Sequence, residues 1–148
     1  MADIMIPALL LGRKGSSGFP GKNLCPVLGN PLAYYPMMAA VKSESVDEVF
    51  ISTDDEKLMA LAKEIGVDVI VRPPELCTNE ALGEDAYVHG YFEIKERNKG
   101  EDAEFMVLLF CNAPTVTSKL IDEGIKVLRD HPEYDSAVSV SCYNMWSP

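Results

Sequence analysis

Long hydrophobic runs are missing from the sequence. Charged residues interrupt the apolar stretches well before they reach the length of a membrane span. The first apolar stretch, Ile4–Leu11, follows Asp3 and has no basic segment before it, so it lacks the pattern of a signal peptide. Both absences favour a cytoplasmic protein without a membrane partner, in which Ile4–Leu11 forms a buried strand.

Cysteine and histidine are scarce, with four and two residues in 148. The cysteines are far apart in the sequence, form no CxxC pair and have no histidine cluster beside them: Cys25, Cys77, Cys111 and Cys142. This spacing argues against a zinc site and against a disulfide framework. We expect reduced thiols with packing or incidental roles, because buried cysteine behaves as a small hydrophobic residue.

Positive charge is scarce as well, with 13 Lys and Arg against 23 Asp and Glu and a net charge of −10. Such a chain is not expected to bind nucleic acid or anionic membranes nonspecifically. The charge is unevenly distributed, however. Residues 1–23 contain Arg13, Lys14 and Lys22 against Asp3 alone, so this segment carries +2 and the remainder −12. The imbalance indicates one specific anion site near the N-terminus.

The length and the 47% of hydrophobic residues fit a single domain over residues 1–148. The predicted strands are Ile4–Leu11, Glu48–Ser52, Val67–Val71, Phe105–Phe110 and Ala137–Cys142, and the predicted helices are Pro31–Ser43, Asp55–Ile65, Ala81–Asn98 and Lys119–Arg129. Strands that alternate with helices predict an α/β fold, a three-layer sandwich around a mostly parallel, Rossmann-like sheet. Because the sequence stops just after a predicted strand, we expect the domain to lack its C-terminal part.

The loop after the first predicted strand, Gly12–Asn23, combines four glycines with three cations. Glycines allow backbone N–H groups to approach a phosphate closely, and the cations neutralise its charge. A flexible surface loop is the alternative. In parallel sheets ligands lie beyond the carboxyl ends of the strands. We therefore expect this loop and those after the third and fourth strands to converge on one crevice.

Two common phosphate-binding loops do not fit the segment. The P-loop pattern GxxxxGK[ST] fails because Ser16 stands at the first glycine position and Asn23 follows Lys22. The dinucleotide pattern GxGxxG fails because the glycines of the segment begin with Gly12 and Gly15 and are three residues apart. The sequence supports neither a P-loop kinase nor an NAD enzyme.

The glycine-rich loop resembles the signature of the cytidylyltransferases that activate acidic sugars, the CMP-sialic acid and CMP-Kdo synthetases. Their pattern runs approximately ARxGSKxxPxKN, and the matching positions here are Arg13, Gly15, Ser16, Gly18, Pro20, Lys22 and Asn23. Lys14 and Ser17 depart from the commonest form. The resemblance implies that Arg13 and Lys22 are catalytic and stabilise charge on the α-phosphate. It also implies a set of nucleotide-binding residues in and before the loop: Leu11, Gly12, Gly15, Ser16 and Asn23.

Three further segments extend the resemblance along the chain. Val49–Asp55 is similar to the VSTDD strand of the family. The alternative is a buried strand followed by a helix cap at Asp54 or Asp55, with Thr53 as a further candidate for the cap. Arg72–Leu76 is similar to its RPxxL loop, which implies that Arg72, with Ala81 and Gly83, holds the cytosine ring. An ordinary surface cation is the alternative for Arg72.

The segment Val107–Thr115 occupies the place of the family's LLQPTSPLR. Phe110 and Val116 replace its glutamine and arginine, and Asn112 stands where the Kdo enzymes carry a metal-binding aspartate. An amide oxygen is a poorer Mg²⁺ ligand than a carboxylate. Asn112 is therefore expected to reach a ribose or substrate hydroxyl.

The resemblance implies a fold of the nucleotide-diphospho-sugar transferase type and transfer of CMP from CTP to an acidic sugar, nonulosonic or Kdo-like, with release of pyrophosphate. Mg²⁺ is the implied cofactor, with ligands expected beyond Pro148, and a homodimer is expected of the full-length protein. Two alternatives stay open. One is a sugar-phosphate nucleotidyltransferase that uses another triphosphate, and the other is a non-catalytic nucleotide-binding module, which Phe110 and Asn112 favour.

Overall fold

The structure is a computed structural model that describes residues 4–15 and 18–141. Strands and helices alternate along most of this part of the chain. The strands are β1 (Pro7–Leu11), β2 (Pro26–Val27), β3 (Asn30–Pro31), β4 (Glu48–Thr53), β5 (Asp68–Val71) and β6 (Val107–Phe110). The α-helices are α1 (Tyr34–Val41), α2 (Glu56–Ile65), α3 (Gly83–Arg97) and α4 (Ser118–Asp130). The alternation predicted from the sequence is confirmed.

Four strands form a parallel sheet in the order β5–β4–β1–β6. The chain builds the sheet outward from β1 to β4 and β5, and then returns to place β6 on the other side of β1. The order therefore reverses between β1 and β6, which is where ligands bind in doubly wound sheets. Pro7 is tolerated in the central strand because it is the first residue, pairing with Glu48, while the pairing with β6 begins only at Ala8.

Helices cover both faces of the parallel sheet, which is the three-layer architecture predicted from the sequence. On one face α1, α2 and α4 contribute Met37, Leu58 and Ile121 to a core with strand residues such as Leu10 and Ile51. On the other face α3 packs Ile94 against Leu9, Phe50 and Ile70. Since both faces of the sheet are buried along β1, this central strand is continuously apolar rather than alternating. A search of the described helices finds none that is both long enough and apolar enough to cross a membrane.

Two predicted elements differ from the structure. The helix expected to begin at Pro31 begins at Tyr34, because Pro31 pairs with Pro26 in the β2–β3 hairpin. The hairpin turn contains Leu28 and Gly29 at positive φ, 48° and 89°. The strand expected over 137–142 is absent over 137–141, where the chain is exposed and unpaired, and Cys142 lies outside the described residues. Alternating valine and serine is typical of a strand, but a strand also needs a neighbouring strand to complete its hydrogen bonds.

Gly90 of α3 packs closely against β1. A Cβ at this position would lie 2.5 Å from Cδ2 of Leu9, whose side chain is fully buried. We expect Gly90→Ala to lower the free energy of unfolding by about 1–3 kcal/mol, because overpacking outweighs the gain in helix propensity of about 1 kcal/mol.

Gly124→Ala in α4 is the matched control for Gly90→Ala. A Cβ there would meet no atom within 4 Å. This variant is expected to be neutral or to stabilise by up to about 1 kcal/mol. Urea unfolding of both variants measures the difference, and equal effects at the two positions would contradict close packing at Gly90.

Candidate active site

An open cleft of about 260 Å³ lies at the carboxyl ends of the parallel strands, beside the β1–β6 switch point. Nine residues predicted for the site line it: Leu11, Gly12, Arg13, Lys22, Asn23, Arg72, Ala81, Gly83 and Asn112. The lining does not include Gly15, and Ser16 lies outside the described residues. The three loops expected to converge do meet here. The lining is completed by three residues that were not predicted to bind the nucleotide: Leu76, Leu82 and Phe110.

The β1 end of the glycine-rich loop is held by the end of β4. The Gly12 N–H donates to the Ser52 carbonyl at 3.2 Å, and the Lys14 N–H donates to Asp54 Oδ1 at 2.7 Å. Gly15 and Gly21 adopt positive φ of 77° and 72°, a conformation that glycine reaches without strain. The loop therefore starts as a continuation of the sheet and then turns at glycines.

Arg13 connects the glycine-rich loop to the loop that follows β5. Its Nη1 donates to the Thr78 carbonyl at 2.9 Å and to Asn79 Oδ1 at 2.8 Å. Neither acceptor carries a charge. The guanidinium therefore keeps its positive charge uncompensated by these contacts and lines the cleft with it.

Arg72 is buried, with 6% of its surface exposed, so the interpretation as a surface cation is wrong. Its Nε donates to Ser52 Oγ at 3.2 Å and its Nη2 donates to the Ser52 carbonyl at 2.8 Å. Burial lowers the pKa of the guanidinium, and nearby Cys77 and Asp54 partly oppose this shift. Among residues 4–15 and 18–141 no carboxylate lies within ion-pair distance of Arg72. Because an unpaired buried charge is costly, the position favours a ligand with negative charge or carbonyl oxygens.

The thiols near the cleft are unsuited to nucleophilic catalysis. Cys111 is buried behind Gly12, and burial raises the pKa of its thiol to about 12. Burial and the neighbouring Asp54 also raise the pKa of the Cys77 thiol. Both sulfurs therefore stay protonated at neutral pH and lack the thiolate that such catalysis requires. Together with Cys25 they are free cysteines, while Cys142 lies outside the described residues.

Two adjacent aspartates at the end of β4 have different tasks. Asp55 caps α2, accepting a hydrogen bond from the Lys57 N–H at 2.9 Å. The predicted cap is therefore confirmed at Asp55, whereas Thr53 and Asp54 do not cap the helix. A cap must directly precede the first helical turn, and Asp54 lies one residue too early. Asp54 instead contacts the glycine-rich loop, a role that the doublet of aspartates did not reveal.

A metal centre is not assembled by the residues that the structure describes. Across residues 4–15 and 18–141, no three His, Cys, Asp or Glu side chains are grouped so that they could hold an ion. Asn112 in the cleft supplies at most one neutral amide oxygen, a weak ligand for Mg²⁺. No metal-dependent step follows from these residues.

A second concavity, of about 370 Å³, lies between the end of α1 and α4. Its lining mixes both signs of charge: Lys42, Glu44, Lys119, Asp122, Glu123 and Lys126, with Ser118. It has neither a glycine-rich loop nor a buried cation. The chemistry for anion binding is therefore concentrated in the cleft at the strand ends.

The sheet order and the lining of the cleft define a doubly wound α/β domain with a cation-lined cleft at the topological switch point. The chain belongs to the cytidylyltransferase family, whose family model matches residues 7–144.

Curated members of the family resemble the chain over most of its length. It is 32% identical over 139 residues to the N-acylneuraminate cytidylyltransferase of Escherichia coli O18:K1:H7 (strain RS218 / NMEC), which covers 94% of this chain and 32% of that protein. It is 33% identical over 132 residues to the 3-deoxy-manno-octulosonate cytidylyltransferase of Bdellovibrio bacteriovorus (strain ATCC 15356 / DSM 50701 / NCIMB 9529 / HD100), covering 89% of this chain and 49% of that protein. The chain thus spans about a third to a half of the length of these relatives.

Solved structures share the fold. One is a CMP:2-keto-3-deoxy-manno-octonic acid synthetase complexed with CTP, with a TM-score of 0.69 and 23% identity over 86% of this chain and 48% of that chain. Another is a cytidylyltransferase from Leptospira borgpetersenii serovar Hardjo-bovis (strain JB197), with a TM-score of 0.66 and 20% identity over 84% of this chain and 49% of that chain. These similarities confirm the predicted nucleotidyltransferase type of α/β fold.

Proposed function

We propose that the chain forms the CTP-binding part of a cytidylyltransferase that transfers CMP to an acidic sugar, nonulosonic or Kdo-like. The observation that carries this proposal is the convergence of Arg13, Lys22 and buried Arg72 on one cleft at the switch point. Arg13 and Lys22, beside a glycine-rich loop, neutralise part of the charge of a triphosphate, and the Arg72 guanidinium can donate to the carbonyl oxygen of a cytosine base. Family membership supports the cytidylyl group, and the names of the two relatives support the acceptor class.

In the proposed reaction an oxygen of the sugar attacks the α-phosphorus of CTP. A new P–O bond forms to the sugar, the bond between the α-phosphorus and the bridging oxygen breaks, and pyrophosphate leaves with that oxygen. The proton of the attacking hydroxyl passes to solvent. Negative charge develops on the phosphate oxygens, and Arg13 and Lys22 stabilise it from fixed positions. Arg72, with the backbone around Ala81 and Gly83, holds the cytosine base. Positioning of the reacting groups by these residues contributes to the rate.

Mg²⁺ and a homodimer remain expectations that rest on the resemblance alone. A metal ion would neutralise part of the triphosphate charge. The described residues of the cleft do not form a site for the ion. The roles proposed above therefore belong to Arg13, Lys22 and Arg72 alone.

Lys22→Ala tests the nucleotide site. We expect the variant to bind CTP about tenfold more weakly, because it loses one charge-assisted contact with phosphate. Thermal shift titration with CTP, UTP, GTP and ATP measures both affinity and base preference, since a ligand of the native state raises the unfolding midpoint. Lys63→Ala, an exposed lysine in the last turn of α2, is the matched control and is expected to bind CTP like the wild type.

Each outcome of the titration decides between functions. Unchanged affinity in Lys22→Ala would contradict the assigned phosphate site. A stronger shift with another triphosphate would favour the alternative sugar-phosphate nucleotidyltransferase.

Pyrophosphate release from CTP with a panel of nonulosonic acids and Kdo tests the acceptor. CTP binding without release for any acceptor would support the non-catalytic module that Asn112 favours.

A further inference from the structure

The end of β4 holds the loops on both of its sides. The Gly12 N–H donates to the Ser52 carbonyl at 3.2 Å, and the Arg72 N–H donates to the Thr53 carbonyl at 3.0 Å. Both bonds continue the parallel ladders one residue past the ends of β1 and β5. Backbone pairing therefore aligns Gly12 and Arg72, the first residues of the loops after β1 and β5, with β4.

Asp54 extends this alignment beyond the backbone ladder. In a parallel ladder every second N–H faces the same neighbour, so the N–H of Lys14 follows that of Gly12 toward β4. It donates to the side chain of Asp54, at 2.7 Å from Oδ1. The chain then turns at Gly15 with φ of 77°. The Asp54 carboxylate thus fixes the last residue before the turn of the glycine-rich loop.

The loop after β5 also lies near Asp54. The carboxylate lies close enough to Arg72 and Cys77 to oppose the lowering of the Arg72 pKa and to contribute to the raised pKa of the Cys77 thiol. Arg13, the residue before Lys14, in turn contacts Thr78 and Asn79 of the same loop. Asp54 therefore stands at the junction of the two loops that carry the cleft cations, while Asp55 alone caps α2.

We propose that Asp54 is a positioning residue for nucleotide binding, a role that rests on the proposed function. By accepting the Lys14 N–H it sets the path of the glycine-rich loop, and with it the placement of Arg13 beside the cleft. It acts through the backbone of the loop and touches no substrate. A loop aligned in advance loses less conformational entropy when the triphosphate binds.

The test combines two substitutions of Asp54 with one of Asp55, measured in the full chain. Asp54→Ala removes the acceptor. Asp54→Asn keeps an oxygen that accepts the Lys14 N–H. Asp55→Ala removes a neighbouring carboxylate of the same charge that caps α2. Isothermal titration gives the CTP affinity, and NMR hydrogen exchange gives the protection of the Lys14 amide, a readout that loss of the α2 cap does not move.

For Asp54→Ala we expect Lys14 exchange to accelerate about tenfold and CTP affinity to fall about tenfold, since a hydrogen bond to a charged acceptor is lost. For Asp54→Asn we expect both the Lys14 exchange rate and the CTP affinity to stay within about threefold of the wild type. Asp55→Ala is expected to lower the unfolding midpoint through loss of a cap and to change neither value.

The outcomes separate the role of Asp54 from the proposed function. Unchanged CTP affinity in Asp54→Ala overturns the positioning role and leaves the function intact, and so does an equal loss of affinity in Asp54→Asn and Asp54→Ala. Unchanged Lys14 exchange in Asp54→Ala overturns the role as well. A wild-type chain that binds no CTP contradicts the function itself. If Asp54→Ala does not fold, Asp54→Asn decides, because wild-type exchange and affinity are expected of it and loss of either overturns the role.

Discussion

Replacing Arg72 with methionine is expected to weaken CTP binding by about 100-fold while changing the free energy of unfolding by no more than about 1 kcal/mol. The loss of CTP affinity follows from the position of Arg72 in the cleft. Arg72 lines the cleft and has no ion-pair partner among the described residues, so its charge is available to the nucleotide. Loss of two charge-assisted hydrogen bonds at about 1.5 kcal/mol each corresponds to this change in affinity.

The small change in stability follows from two opposing contributions to the free energy of unfolding. Burial of an uncompensated guanidinium is unfavourable, as the lowered pKa of Arg72 shows, and an apolar side chain of similar length removes that cost. Against this, the Ser52 hydroxyl loses its donor and is fully buried, which costs about 1–3 kcal/mol. The Ser52 carbonyl keeps its hydrogen bond from Gly12. The two contributions are of similar size, so little net change in stability is expected.

Urea unfolding with and without CTP measures both effects of Arg72→Met. Arg72→Lys is the matched variant, because it keeps the charge but loses the planar fork of donors that reaches Ser52. We expect intermediate CTP affinity for it. CTP binding by Arg72→Met at the wild-type level would show that the guanidinium serves the fold alone. A loss of more than about 3 kcal/mol of stability would show that the guanidinium also stabilises the fold and would contradict the expected balance.

Gly12→Ala is expected to have the second large effect, a loss of about 1–3 kcal/mol in the free energy of unfolding. A Cβ at Gly12 would lie 2.7 Å from Sγ of Cys111 and 3.0 Å from Cδ1 of Leu58. Both neighbours are fully buried and have little room to move. Because Gly12 begins the glycine-rich loop, we also expect CTP affinity to fall by about tenfold or more, as the loop shifts outward.

The double variant Gly12→Ala with Cys111→Ala tests this explanation. Removing the sulfur leaves the nearest Cys111 atom at 3.4 Å from the new Cβ, an ordinary contact distance. The double variant is therefore expected to be more stable than the sum of the two single effects predicts, with a coupling of about 1–2 kcal/mol. Denaturant unfolding of all four proteins of the cycle measures this coupling. Strictly additive effects would mean that Gly12 is required for a reason other than its contact with Cys111.

Local patterns in the sequence determined the elements and the class of fold. The continuous apolar run of β1 predicted a strand buried on both faces, and the alternation of strands and helices predicted the parallel sheet. The glycines and cations of Gly12–Asn23 predicted an anion loop at a strand end, and four residues of this segment line the cleft: Gly12, Arg13, Lys22 and Asn23. These features depend on residues close together in the chain, so their signals are complete within one segment.

The tertiary structure alone decided which distant residues share an environment. Burial of Arg72 depends on Ser52, twenty residues away, and the partner of Asp54 is Lys14, forty residues away. The same dependence explains the wrong predictions. Pro31 belongs to a hairpin because Pro26 pairs with it, and residues 137–141 form no strand because none pairs with them. Hydrogen bonding and burial are properties of pairs of segments, and a pattern within one segment cannot specify its partner.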